Sequence, residues 1–152
     1  MTTRQTAANA GTCRATRLRA RGTPSFSFID TMTSVPEDTP LSDSEYHARA
    51  AAVLAAVEAA ADRWLQQDVV DVDTQRTGGM LELSFPNDSK IVLNTQPPLH
   101  ELWMAARRGG YHYKYQRGRW CDMRDGSEFF AALSACASEQ AGVALVFEAR
   151  QG

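Results

Sequence analysis

Glu58 and Asp62 stand four residues apart in a stretch of helical periodicity, which sets both carboxylates on one flank of a helix. Like charges at that spacing repel unless a cation or solvent relieves them, and Asp68, Asp71 and Asp73 prolong the same negative edge. Asp71 and Asp73 alternate with Val70 and Val72, so in an extended strand the two acids project to one side. Clustered, exposed carboxylates are hard oxygen ligands that hold Fe²⁺, Fe³⁺, Mn²⁺ or Ca²⁺ without a preformed cage, so binding there is expected to be weak and unselective. The plain alternative is a solvated edge kept acidic for solubility.

A second grouping is polar and aromatic. Ile91, Leu93 and Thr95 share one face of an extended segment, and Val92, Asn94 and Gln96 share the other. In the next segment Leu102 and Met104 face the core, which turns Leu99, Glu101 and Trp103 outward beside Asn94 and Gln96. An outward tryptophan among amides is a protein-docking anchor. A strand phase shifted by one residue would exchange the faces and make Trp103 part of the core.

Enzyme machinery is not visible. The chain has no phosphate-cradling glycine loop, no nucleophile elbow and no His-Glu-x-x-His pair. His47, His100 and His112 fall on different expected elements, so acid-base chemistry would require the fold to gather them. Cys13, Cys121 and Cys136 show neither Cys-x-x-Cys spacing nor a histidine at zinc-ligand distance, which argues against a structural zinc site.

The elements that must carry these groups follow from periodicity. Tyr46, Ala50, Val53, Leu54, Val57, Ala61, Trp64 and Leu65 form the stripe of an amphipathic helix over about 43 to 66, and Ser42 with Glu45 forms a capping box at its start. Period-two segments follow at Val70–Asp73, Leu81–Phe85, Ile91–Gln96, Leu102–Met104, Tyr111–Tyr115 and around Trp120, punctuated by Gly78-Gly79, Pro86 to Ser89, Gly109-Gly110 and Gly118. A second helix begins after Asp125-Gly126-Ser127, buries Phe129, Phe130, Leu133, Cys136 and Ala137, and ends before Gly142. A final strand is expected over Val143–Phe147. This order predicts an α+β domain with two helices packed on one face of an antiparallel sheet of five to six strands or more.

The 152 residues, 43% of them hydrophobic, suffice for one core. From Leu41 onward 11 basic residues face 15 acidic ones, a difference of -4 that disfavours nucleic acid as partner. No apolar run reaches the roughly 20 residues of a membrane span. Residues 1–40 form a separate extension: five arginines and no acid precede Asp30, and Pro24, Pro36 and Pro40 sit among serines and threonines. Disorder, a mitochondrial-type presequence, or translation starting at Met32 each account for it. The folded domain is expected over residues 41–152.

NTQPPLHELW, from Asn94 to Trp103, resembles the Asn-x-Gln-x-Pro-x-x-x-x-Trp signature of the frataxin family, and its continuation MAARRGGYHYKY resembles the bacterial branch. SDSEYHARAAAVLAAVEAAADRW is similar to the opening helix of that family, GGMLELSFPNDSKIVLN to its first hairpin, and RWCDMRDGSEFF to the passage into its second helix. The resemblance spans about Ser42 to Phe147. It implies the frataxin fold, weak iron binding (Fe²⁺ or Fe³⁺) on an acidic ridge, and contact with the cysteine desulfurase and scaffold protein of iron-sulfur cluster assembly. Carried onto this chain, the ridge is Glu58, Asp62, Asp68, Asp71 and Asp73, with His47 near the helix start as a further ligand, and the docking surface is Asn94, Gln96 and Trp103. Ala59, Ala60, Arg63, Leu65 and Gln67 make this ridge thinner than the family's.

The leading expectation is therefore a monomeric, iron-responsive regulator of cluster assembly that is not an enzyme. An iron store or ferroxidase that oligomerises with iron, and an adaptor with no metal role, stand as alternatives. The bacterial style of Gly109 to Tyr113 points to the cytoplasm, and a genuine presequence would point to the mitochondrial matrix.

Overall fold

The structure is a computed structural model, and it describes residues 40–149. The arginine-rich stretch, Cys13 and Met32 lie outside the described residues. The chain order is α1 (Asp43–Gln66), β1 (Asp73–Thr77), β2 (Met80–Ser84), β3 (Lys90–Gln96), a 3-10 turn (Pro97–Leu99), β4 (Glu101–Ala106), β5 (Gly109–Gln116), β6 (Arg119–Asp122) and α2 (Phe129–Ala141). The six strands form one antiparallel meander in the order β1 to β6, with both helices on one face, the expected α+β architecture.

Helix α1 starts where its capping box starts. The Ser42 hydroxyl accepts the Glu45 amide at 3.3 Å, and the Glu45 carboxylate takes the Ser42 amide at 2.9 Å. Its inner face buries Tyr46, Ala50, Val53, Leu54, Val57, Ala60, Ala61 and Trp64 against Leu81, Leu83, Ile91, Leu93, Leu102, Met104 and Tyr113 of the sheet. Small residues at Ala50, Ala60 and Ala61 let the helix lie close to the strands. Helix α2 is capped by Glu128, whose carboxylate accepts the amides of Phe130 and Ala131, and it ends at Gly142 in the left-handed conformation (φ 70°).

Gly79 lies close against β3, and a larger residue there would force Thr95 to shift. A Cβ there would lie 2.1 Å from the Thr95 hydroxyl oxygen of β3.

Two strand expectations need correction. Val70 and Val72 were expected to begin a strand, but β1 starts at Asp73 and pairs it with Ser84. Strand β2 offers no partner beyond Ser84, because Pro86 to Ser89 turn the chain. Val72 still drops into the core, so the alternation there reports one-sided burial without a ladder. Val143–Phe147 likewise forms no strand. Its Leu145 and Phe147 are buried and Val146 is exposed, but its amides bond to helix side chains: Leu145 N–H to the Ser138 hydroxyl at 2.8 Å, and Phe147 N–H to the Ser134 hydroxyl at 2.8 Å. The tail thus runs back along α2 and seats Phe147 edge-on to Trp64 at 4.8 Å.

Gln140, a residue with no visible sequence signal, fastens α2 to two sheet turns. Its side chain accepts the Arg107 amide at 2.9 Å and donates to Ser89 and Lys90 at 3.1 Å each, and its carbonyl accepts from Asn87 at 2.7 Å. A buried amide with every bond made fixes one arrangement of the elements around it.

Candidate functional site

The face of the sheet turned away from the helices carries the polar-aromatic group. Register sets Met80, Asn94, Trp103 and His112 in one row across β2 to β5, and Gln96, Glu101 and Lys114 in the next across β3 to β5. Leu102 and Met104 are buried and Trp103 is half-buried, so the strand phase read from sequence holds and the indole is outward. Asn94 and Gln96 are also half-buried. Leu99, expected beside them on a strand, sits instead in the 3-10 turn, exposed at its rim.

The indole is held on two sides. His112 stacks on it at 4.2 Å with ring planes 5° apart, and the indole Nε1–H of Trp103 donates to a Glu101 carboxylate oxygen at 2.7 Å. The same carboxylate, 12% exposed, lies 3.9 Å from His112 Nδ1 and 3.9 Å from Lys114 Nζ. Charge on Glu101 is therefore balanced locally while the tryptophan keeps one fixed orientation. The sequence spacing of His112 set it apart from the other histidines without tying it to Trp103. Its place beneath Trp103 depends on the β4–β5 register, which only the fold supplies.

The acidic group is built differently. Glu58 is half-buried on α1 and pairs with Arg76 of β1 at 3.3 Å, a counter-ion the sequence pattern did not reveal. Asp62 is exposed on the same helix, and Asp68 is exposed just past its end in the left-handed conformation (φ 58°). Asp71 lies on the link before β1 and Asp73 is the first residue of that strand, so the two do not share a strand face as expected. Among the described residues no three His, Cys, Asp or Glu side chains converge into a group that would chelate one ion. These carboxylates line an open edge and fit only the loose, oxygen-only coordination of a hard cation.

His47 does not join that edge. It lies 11 residues before Glu58 on α1, about 16 Å along the axis. Instead the fold brings it to His100, Asp43, Lys114 and Tyr115 around a cavity of about 590 Å³, so two of the three histidines gather where the sequence placed them apart. His100 Nε2 is 2.7 Å from Asp43 Oδ1 and stacks on Tyr46, whose phenol burial pushes above its ordinary range.

This geometry can be set beside known proteins. A model of the frataxin-like domain matches residues 39–143. The iron-sulfur cluster assembly protein CyaY of Polaromonas sp. is 51% identical over 109 residues, covering 72% of this chain and 94% of that protein. Its namesake from Burkholderia mallei is 50% identical over 109 residues, covering 72% of this chain and all of the other. Among solved structures, frataxin from Psychromonas ingrahamii is 34% identical with a TM-score of 0.63, covering 71% of this chain and 99% of that one. A matching domain model, half-identical relatives aligned along nearly their whole length, and the same two-helix, six-stranded layout together place the chain in the frataxin-like family.

Proposed function

We propose that this chain serves iron-sulfur cluster assembly as an accessory that docks on the cysteine desulfurase and scaffold protein and regulates them, without catalysis of its own. The observation that carries this reading is Trp103, held outward by stacking and by Glu101 on a sheet face that no element of the described chain covers. A pre-oriented tryptophan loses little freedom on binding, so more of its burial appears as affinity.

The acidic edge has the complementary task. Asp62, Asp68, Asp71 and Asp73 project a negative field that steers the chain toward a basic surface of the desulfurase. Iron is cargo here: Fe²⁺ held by single, solvated carboxylates of the edge exchanges readily, and its charge offsets the field that the partner meets. Occupancy thereby tunes the contact, in the cytoplasm and with the chain as a monomer. A second reading, a metal-independent adaptor, is favoured by one observation, the Arg76 counter-ion already on Glu58.

The test is the affinity of purified desulfurase and scaffold for the native chain and for Trp103→Ala. A loss of about thirtyfold, the scale of an interface hot spot, is expected. Equal affinities would remove the sheet face from the interface. An anaerobic Fe²⁺ titration separates the two readings of the edge, with amide shifts at Glu58, Asp62, Asp68, Asp71 and Asp73 expected of an iron-responsive regulator and none of an adaptor.

A further inference from the structure

Gln96 and Glu101 form the last register pair between β3 and β4, and between them the chain makes the Pro97–Leu99 turn at one end of the docking face. A side chain from the helical layer enters at that point. Tyr46, in the first turns of α1 and fully buried, accepts the Gln96 N–H on its hydroxyl at 2.9 Å and donates the hydroxyl proton to the Glu101 carbonyl at 2.6 Å.

We propose that the Tyr46 hydroxyl is a positioning group for the docking face: its amide-to-hydroxyl-to-carbonyl relay spans the end of the β3–β4 ladder and sets where Gln96, Glu101 and, through Glu101, the Trp103 indole stand. The proposal rests on the reading of that face as the place where partners dock.

A hydroxyl donates and accepts at one atom, which is what a relay between an amide and a carbonyl requires. The tyrosine itself has little room to move. Its ring stacks on His100 at 4.8 Å with planes 10° apart and meets Trp120 edge-on at 6.0 Å. His100 ends the turn in the left-handed conformation (φ 51°) and is tied to Asp43 at 2.7 Å, so the turn is anchored at two points to the same end of α1. From there the link to the surface is short. The backbone carbonyl of Glu101 is held inward by Tyr46 while its carboxylate holds the Trp103 Nε1–H outward at 2.7 Å. A shift of that backbone reaches the indole through one side chain.

The experiment uses the ¹⁵N-labelled full chain and its Tyr46→Phe variant, which keeps the ring and its packing. In the native chain the Gln96 amide is expected to exchange slowly with solvent, and in Tyr46→Phe about tenfold or more faster, with helical circular dichroism unchanged. The Trp103 indole N–H resonance is expected to move while the amides of Asp68, Asp71 and Asp73 stay in place. Affinity for the purified desulfurase should fall about fivefold, the scale of one net hydrogen bond. A Gln96 amide that exchanges as fast in the native chain as an unstructured amide overturns the proposal without any variant, and so does an unmoved indole resonance in a folded Tyr46→Phe. If Trp103→Ala binds the desulfurase as tightly as the native chain, the docking reading fails by itself, and the exchange and indole measurements still decide the role of the hydroxyl.

Discussion

The open sheet face and the acidic edge are both exposed and both rich in polar groups, yet they are organised in opposite ways. On the face, Trp103, His112, Glu101 and Lys114 constrain one another across two strands. On the edge, Asp62, Asp68, Asp71 and Asp73 are spread over a helix, a link and a strand end, and among the described residues only Glu58 meets a basic side chain, Arg76. Interlocking costs entropy in advance and yields a surface with one shape, suited to specific recognition. Separated charges keep their freedom and act at a distance, suited to steering and to ions that must leave again. The difference teaches that a half-buried, interlocked face and an exposed, loosely spread edge are suited to different terms of a binding free energy.

The sharpest way to break this comparison is from behind the face. Phe129 of α2 packs edge-on against Tyr113 at 5.2 Å, beneath β5. Phe129→Ala should lower the unfolding free energy by about 3–5 kcal/mol in urea denaturation, and Asp71→Asn on the edge by no more than about 0.5 kcal/mol. A similar cost for both would show that the edge is structurally built in.

Binding separates the regions next. Asp68→Lys or Asp71→Lys should slow association with the desulfurase and weaken it by about 1 kcal/mol each, an effect that fades as salt is raised. Trp103→Ala should instead speed dissociation and keep its effect at high salt, so stopped-flow rates at two ionic strengths tell the two modes apart. A small effect of opposite sign is expected at Tyr113, whose buried hydroxyl has no hydrogen-bond partner among the described residues. Tyr113→Phe should leave stability unchanged or raise it by up to about 1 kcal/mol, since it removes a desolvated polar group that gains nothing in the fold. A clear destabilisation in urea would mean that the hydroxyl has a partner after all.

Much of the frame was legible in sequence because it is local. Ser42 with Glu45, the 3.6-residue stripe to Trp64, the turn at Pro86 to Ser89 and the Gly142 stop act within a few residues of themselves, and each appears where its chemistry requires. The outward phase of Trp103 was legible too, since Leu102 and Met104 alternate with it. Long-range pairings were not. Arg76 meets Glu58 across 18 positions, Gln140 meets Arg107 across 33, and Tyr46 meets Gln96 across 50. Nothing near any of these residues announces its partner, because the contact exists only once helices and sheet have been layered. The Val143–Phe147 segment failed for a related reason: alternation records which side chains are buried, and it is silent on whether a strand or the serines of α2 receive the backbone amides.

The central claim, that partners dock on the interlocked face while the edge only steers, is tested most directly by residue-resolved NMR of the labelled chain with unlabelled scaffold protein at moderate salt. The account predicts that Asn94, Gln96 and the Trp103 indole N–H lose intensity first, with weaker and salt-sensitive effects at Asp68, Asp71 and Asp73. A footprint that covers the edge and leaves the Trp103 indole untouched would contradict it.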